Sequence, residues 1–200
     1  MDIYGDKRSG NCYKLQLAAG LLGIEYDWHD VDILKGESRS ADFLALNPAG
    51  EIPLVVLDDG RRLSESNAII NYFAEGTPLA PIDAYHRATI QQWQFWEQYN
   101  HEPRIAVARF IKLYQGLPEA RRAEFDALQK PGHRALNLMD QRLLDQPWLA
   151  GDQLSMADVS LYAYTHVAGD GGFDLAPYAG INAWLARITA QPGYVALEAG

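Results

Sequence analysis

The chain has 200 residues, 48% of them hydrophobic and 22% charged, enough for one large domain or two small ones. Its net charge of -9 argues against general nucleic-acid binding, and it leaves an anionic ligand to be held by a local basic group or by helix N-termini. The single cysteine, Cys12, rules out an internal disulfide and fits a reducing, cytoplasmic setting, while no apolar stretch approaches the roughly 20 residues of a membrane span.

Met1 to Gly5 reads as a short strand. Cys12 to Gly23 reads as a helix, with Leu15, Leu17, Ala18, Leu21 and Leu22 near helical spacing and Gly23 as its C-terminal stop. Glu25 to Val31 is a second strand, and Ser40 to Leu46 is a short helix ended by Asn47-Pro48. Leu54 to Leu57 has strand length. Asp58-Asp59-Gly60 turns the chain, and Arg61-Arg62-Leu63 pairs back. Ser64 or Glu65 then opens a helix carrying Ile69, Ile70, Tyr72 and Phe73. This order, βαβ followed by a helix, a hairpin and a helix, is the thioredoxin-like α/β pattern. Gly76 to Pro81 breaks it.

From Asp83 onward the pattern is all helix. Ala84 to Gln115 is one long stretch that Pro103 should kink or divide. Pro118 opens another stretch, which Pro131-Gly132 should interrupt before it resumes to Asp145. Ser155 caps a mostly apolar helix from Met156 to Val167, with Asp158 in the glutamate position of a capping box. Ile181 to Ala190 and Gly193 to Ala199 complete the chain as helices. The division that follows is residues 1-77 as an α/β thioredoxin-like domain, 78-84 as a linker, and 85-200 as an all-α helical domain.

Several residues carry chemistry, each with an ordinary structural role beside it. Pro53 at the start of a strand removes a ladder donor, and the residues alone favour an ordinary trans bond before it. Glu65 and Ser66 open a helix, where a carboxylate complements the dipole and free N–H groups suit an anion. Ser9 and Asn11 stand where a cap of the first helix belongs. Lys35 lies in the loop after the second strand. Trp93, Trp96, Tyr99, Phe110 and Tyr114 form an aromatic set interspersed with Asn100, His101, Arg104 and Arg109. His166 on an apolar helix reads as a core histidine, and the five histidines show no metal-ligand spacing.

Glu51-Ile52-Pro53 followed by Ser64-Glu65-Ser66, with Ser9-Gly10-Asn11-Cys12 upstream, resembles the glutathione-binding half of a cytosolic glutathione transferase. Gly151…Ser155-x-x-Asp158 resembles the capping segment of that family's helical domain. The resemblance implies a cis Ile52-Pro53 bond whose backbone pairs with glutathione. It implies carboxylate capture at Ser66, ammonium pairing at Glu65, and Lys35 for the glycine carboxylate. It implies Ser9 as the thiol activator, at the place where serine-type, theta-like members carry their catalytic serine. Ser9-x-Asn11 also resembles a Thr-x-Asn pair of some bacterial members, which makes the Asn11 amide a second donor. Cysteine-type members place their cysteine where Ser9 stands, so Cys12 reads as a first-turn helix residue. Tyr4 is near the slot of tyrosine-type members, but Gly5 aligns there.

The expected activity is conjugation of the glutathione thiolate to a small hydrophobic electrophile. Arg104, Phe110 and Tyr114 would serve the second-substrate pocket. Glutathione is then the co-substrate, with no metal, no nucleic acid and no membrane, and the active form is a cytoplasmic homodimer. The alternatives are a glutathione-dependent disulfide reductase or peroxidase, and a non-catalytic interaction protein on the same fold.

Overall fold

A computed structural model describes residues 1–198. The chain forms two compact units, one of Met1–Ala80 with the tail from Gln191, the other of Pro81–Ala190.

The first unit runs β1 (Asp2–Gly5), α1 (Gly10–Leu22), β2 (Asp27–Asp30), α2 (Ala41–Leu46), β3 (Leu54–Val56), β4 (Arg62–Leu63) and α3 (Ser66–Ala74). Its sheet has the order β2-β1-β3-β4, with β1 parallel to β2 and antiparallel to β3. Side chains alternate across a strand, and β1 uses both faces. Gly5 lies against Cys12 of α1, while Tyr4 packs with Val31, Phe43 and Leu54. Helices α1 and α3 pack against each other. Gly23 closes α1 in the left-handed region at φ 66°, and the Ile24 N–H reaches back to the Ala19 carbonyl, as the sequence leads one to expect.

The tail departs from the helix expected over Gly193 to Ala199; Ala199 lies outside the described residues, and Tyr194 to Glu198 is irregular. Gly193 sits at φ 80°, a conformation that ends helical geometry. The tail lies on α1 instead of joining the helical unit to which residues 85-200 were assigned. The Tyr13 hydroxyl donates to the Val195 carbonyl at 2.6 Å. A Cβ at Gly20 would meet Val195 at 2.2 Å, so a glycine there permits the contact.

The second unit holds α4 (Ala84–Trp96), α5 (Glu102–Arg109), α6 (Arg122–Asp145), α7 (Met156–Thr165) and α8 (Ala179–Thr189). Two π-helical turns, Glu97–His101 and Phe110–Tyr114, flank α5. Pro103 follows the first of them. The Glu102 N–H bonds the Glu97 carbonyl five residues back, and this wider turn makes room for the proline ring. Pro131, expected to interrupt a helix, sits inside a continuous α6. An internal proline costs about 3 kcal/mol. Packing on α5 and α8 offsets it, and Gly132 lets the Phe173 ring come to where a Cβ would be only 2.3 Å away. All ten residues of α7 are buried. Asp158 there accepts from the Leu149 N–H at 2.9 Å, the Ser155 N–H at 3.0 Å and hydroxyl at 2.9 Å, and the Trp184 indole at 3.0 Å.

Candidate functional site

The first unit gathers the start of α1 and the start of α3. Ser9 is the N-cap of α1, in extended conformation, and its hydroxyl accepts from the Cys12 N–H at 3.5 Å. A hydroxyl has two acceptor lone pairs and one hydrogen, so capping does not use the hydrogen, which lies within reach of the Cys12 sulfur. The cap and the activator roles are therefore compatible. Ser9 itself is held by its N–H on the Asp6 carbonyl at 2.9 Å.

The loop before Ser9 is braced by charge. Arg8 donates to both Asp6 oxygens, at 2.8 and 2.6 Å, and to Asp32 at 2.9 Å. Burial pushes the Asp6 carboxyl up, but the bonds from Arg8 and from the Ile33 N–H outweigh it and hold the carboxyl below its usual range. Sequence reasoning passed over this clamp, since an Asp-x-Arg in a loop carries no distinguishing local pattern.

At α3 the cap is Glu65 rather than Ser64. Glu65 adopts φ 68° and ψ 106° and makes no side-chain cap bond. Positive φ is costly for a non-glycine residue, and such strain gathers at functional sites. It turns the chain so that Ser66 is the first helical residue and is buried. Glu65 stays exposed.

Ser66 is where the two helix starts meet. Its hydroxyl donates to the Asn11 side-chain amide oxygen (Oδ1) at 3.3 Å and accepts from the Lys14 ammonium at 3.4 Å. Asn11 and Lys14 are three apart on α1, which puts them on one side of the helix. Lys14 is 0% exposed. The sequence signal for it is a lone charge among Tyr13, Leu15, Leu17 and Ala18.

Ile52-Pro53 is cis. The Ile52 side chain packs against Val31, Phe43 and Leu54, and Asn47 holds the preceding Glu51 carbonyl at 2.7 Å. Ile52 precedes β3, so its main chain is not used in the strand ladder. Lys35 lies in the loop after β2. It is 74% exposed, pairs with Asp32 at 3.3 Å, and lines an open groove of about 420 Å³ with Asp6, Arg8, Glu37 and Glu198.

Cys12 and Tyr4 resolve plainly. Cys12 is fully buried beneath Gly5, and burial pushes its thiol up to about 12. Tyr4 stacks on His29 at 4.5 Å, on the sheet face away from Cys12.

In the second unit, Phe110 and Tyr114 come together with ring centroids 5.8 Å apart. The third expected residue, Arg104, is half-buried on α5. The cation that touches this pair is Arg109, 5.2 Å from the Tyr114 ring and bonded to Asp170 at 3.0 Å. His166 stacks on Tyr162 at 4.6 Å and bonds its carbonyl at 2.8 Å. Burial holds its imidazole below the usual range, against the pull of that carbonyl and with a further push from Arg109. Among the described residues, no cluster of three or more His, Cys, Asp or Glu is placed to hold a metal ion.

Two family profiles match: Glutathione S-transferase, N-terminal domain over residues 8–75, and Glutathione S-transferase, C-terminal domain over residues 122–187. A glutathione S-transferase crystal structure from Pseudomonas fluorescens Pf-5 has 52% identity and a TM-score of 0.97, covering 99% of this chain and 98% of that one. Glutathione S-transferase 3 of Zea mays is 30% identical over 97% of this chain and 91% of its own length. The disulfide-bond oxidoreductase YfcG of Escherichia coli K12 is 29% identical over 91% of this chain and 87% of its own. These matches lead to one conclusion: the chain belongs to the glutathione S-transferase family.

Proposed function

We propose that this protein is a glutathione transferase that conjugates the glutathione thiolate to a small hydrophobic electrophile. The observation that carries the reading is the hydrogen bond from Ser66 to Asn11, which joins a carboxylate-binding helix start to a thiol-activating one. In this reading the γ-glutamyl carboxylate meets Ser66 and the α3 N–H groups, and Glu65 pairs the adjacent ammonium. The Ile52 main chain pairs the peptide, and Lys35 serves the glycine carboxylate. Ser9 donates to sulfur, with the Asn11 amide as a second donor. A free thiol has a pKa near 8.5, so hydrogen bonds that favour the thiolate raise the reactive fraction at neutral pH. Phe110 and Tyr114 offer an aromatic surface to the electrophile, and Arg104 a charge on the same helical run. The active form is taken as a cytoplasmic homodimer, which sedimentation would check.

The test is a titration of glutathione with thiolate absorbance followed against pH, in wild type and Ser9→Ala. Bound glutathione should ionise at lower pH than free glutathione, and Ser9→Ala should lose part of that shift. Absence of binding at millimolar glutathione would sink the reading. A second reading, disulfide reduction, is favoured by the likeness to the Escherichia coli oxidoreductase. Here the glutathione thiolate attacks one sulfur of the substrate disulfide, forms a mixed disulfide and releases the other sulfur as thiolate. A second glutathione then resolves it. Cys12 is too deeply buried to take part, so Cys12→Ala should keep any such activity.

A further inference from the structure

Lys14 is the unusual charge of the first unit. Lysine is almost never fully buried, and a cation near the N-terminus of a helix works against the helix dipole. Lys14 does both: it lies in the second turn of α1 with 0% exposure. Its ammonium donates to the Ser66 hydroxyl at 3.4 Å, at the N-terminus of α3. Two helix starts and a buried ammonium thus converge on one hydroxyl. This arrangement gives little to either helix, and it suits an anion.

The hydroxyl is also over-determined. Ser66 has one hydrogen and two lone pairs. One lone pair accepts from Lys14, and the hydrogen goes to the Asn11 side-chain amide oxygen at 3.3 Å. Fixing that oxygen turns the Asn11 amide N–H groups away from Ser66.

We propose that Lys14 is a positioning residue for the glutathione site, holding the Ser66 hydroxyl where the γ-glutamyl α-carboxylate binds and setting positive charge beneath it. This rests on the glutathione reading above. The carboxylate would take the Ser66 hydrogen from Asn11, while Lys14 keeps the oxygen in place throughout.

The experiment is calorimetric titration with two probes: glutathione, and the analogue 4-aminobutyryl-cysteinyl-glycine, which lacks only the γ-glutamyl α-carboxylate. The proteins are wild type, Lys14→Met, Ser66→Ala and the double variant, each with its melting temperature. Wild type should prefer glutathione by at least about tenfold, the scale of one charge-assisted bond. Lys14→Met and Ser66→Ala should each bring that ratio below about threefold. The double variant should lose no more than either single one, because both act through one hydroxyl. A lysine that only supports the fold would lower the melting temperature and leave the ratio alone. Should Lys14→Met fail to fold, Lys14→Gln takes its place under the same criterion. A folded Lys14 variant with the wild-type ratio, or single losses that add, overturns the role of Lys14 alone. A wild type that binds neither probe, or both equally, overturns the glutathione assignment and this one with it.

Discussion

Glu65 offers a test in which stability and binding move in opposite directions. Its φ of 68° and ψ of 106° stand at the cap of α3. Positive φ of this kind costs a residue with a Cβ about 1–3 kcal/mol. Glycine removes that cost but adds about 0.5–1 kcal/mol of backbone entropy in the unfolded chain. Alanine keeps the Cβ and so keeps the strain. Glu65→Gly should therefore exceed Glu65→Ala in stability by about 1 kcal/mol, about 2–4 °C in Tm for a chain of this size. Both variants lose the carboxylate assigned to the ligand ammonium. A hydrogen bond to a charged group is worth about 1.5–3 kcal/mol, so both should bind glutathione about tenfold to a hundredfold more weakly. Thermal melting and calorimetry on the same three proteins decide the matter. If Glu65→Gly melts at or below Glu65→Ala, the strain argument fails. If either variant binds as wild type does, the ammonium assignment fails.

Other outcomes follow from the same geometry. Cys12, buried and with its thiol pushed up to about 12, should resist iodoacetamide at pH 8 in the native protein and react once guanidinium unfolds it, as mass spectrometry would read. The folded state holds His166 neutral below its ordinary range, so the unfolded chain binds more protons there and stability falls as pH drops below about 6.5. His166→Phe keeps the stack on Tyr162 and should flatten that part of the slope in melts between pH 7.5 and 5.5. Asp158→Ala strands four buried donors, at about 1–3 kcal/mol each before water enters. A Tm loss of about 10 °C or failure to fold is expected, and a loss under about 2 °C would contradict the network.

Local chemistry made much of the first unit legible. Gly23 and Gly60 occupy positive φ where the pattern asks for a helix stop and a hairpin turn, at 66° and 83°. The residues around Pro53 alone favoured an ordinary trans bond, and it was the family resemblance that implied the cis bond that is found. What escaped the sequence was set by distant packing. Pro131 reads as a breaker, yet α6 continues because its flanks are clamped by α5, α8 and Phe173. Of the two helix openers the sequence offers, Ser64 and Glu65, the cap is Glu65 at positive φ, which no residue preference of glutamate announces. Lys14 was passed over because α1 is buried around most of its circumference and so has no polar face against which a stray charge stands out. The tail was read as helix because its contacts, Tyr13 and Gly20, lie about 180 residues away in sequence.

Ser9 and Cys12 show how position assigns roles that residue type does not. A thiol is the better nucleophile of the two, and both sit at the start of α1, Ser9 as its cap and Cys12 in its first turn, where the helix dipole favours an anion. Yet Cys12 points under Gly5, where a Cβ on residue 5 would meet its sulfur at 2.7 Å, and is 0% exposed. Burial there disfavours the thiolate more than the hydrogen bonds from the Asp6 main chain and the Ser9 hydroxyl favour it, and its thiol is pushed up. Ser9, half-buried at the cap, keeps its hydroxyl hydrogen free of the capping bond. The same turn therefore buries the protein's own sulfur and keeps a hydroxyl at its cap. Under the function proposed above, a helix start built this way leaves the thiol to be supplied by glutathione, because the protein's own is out of reach.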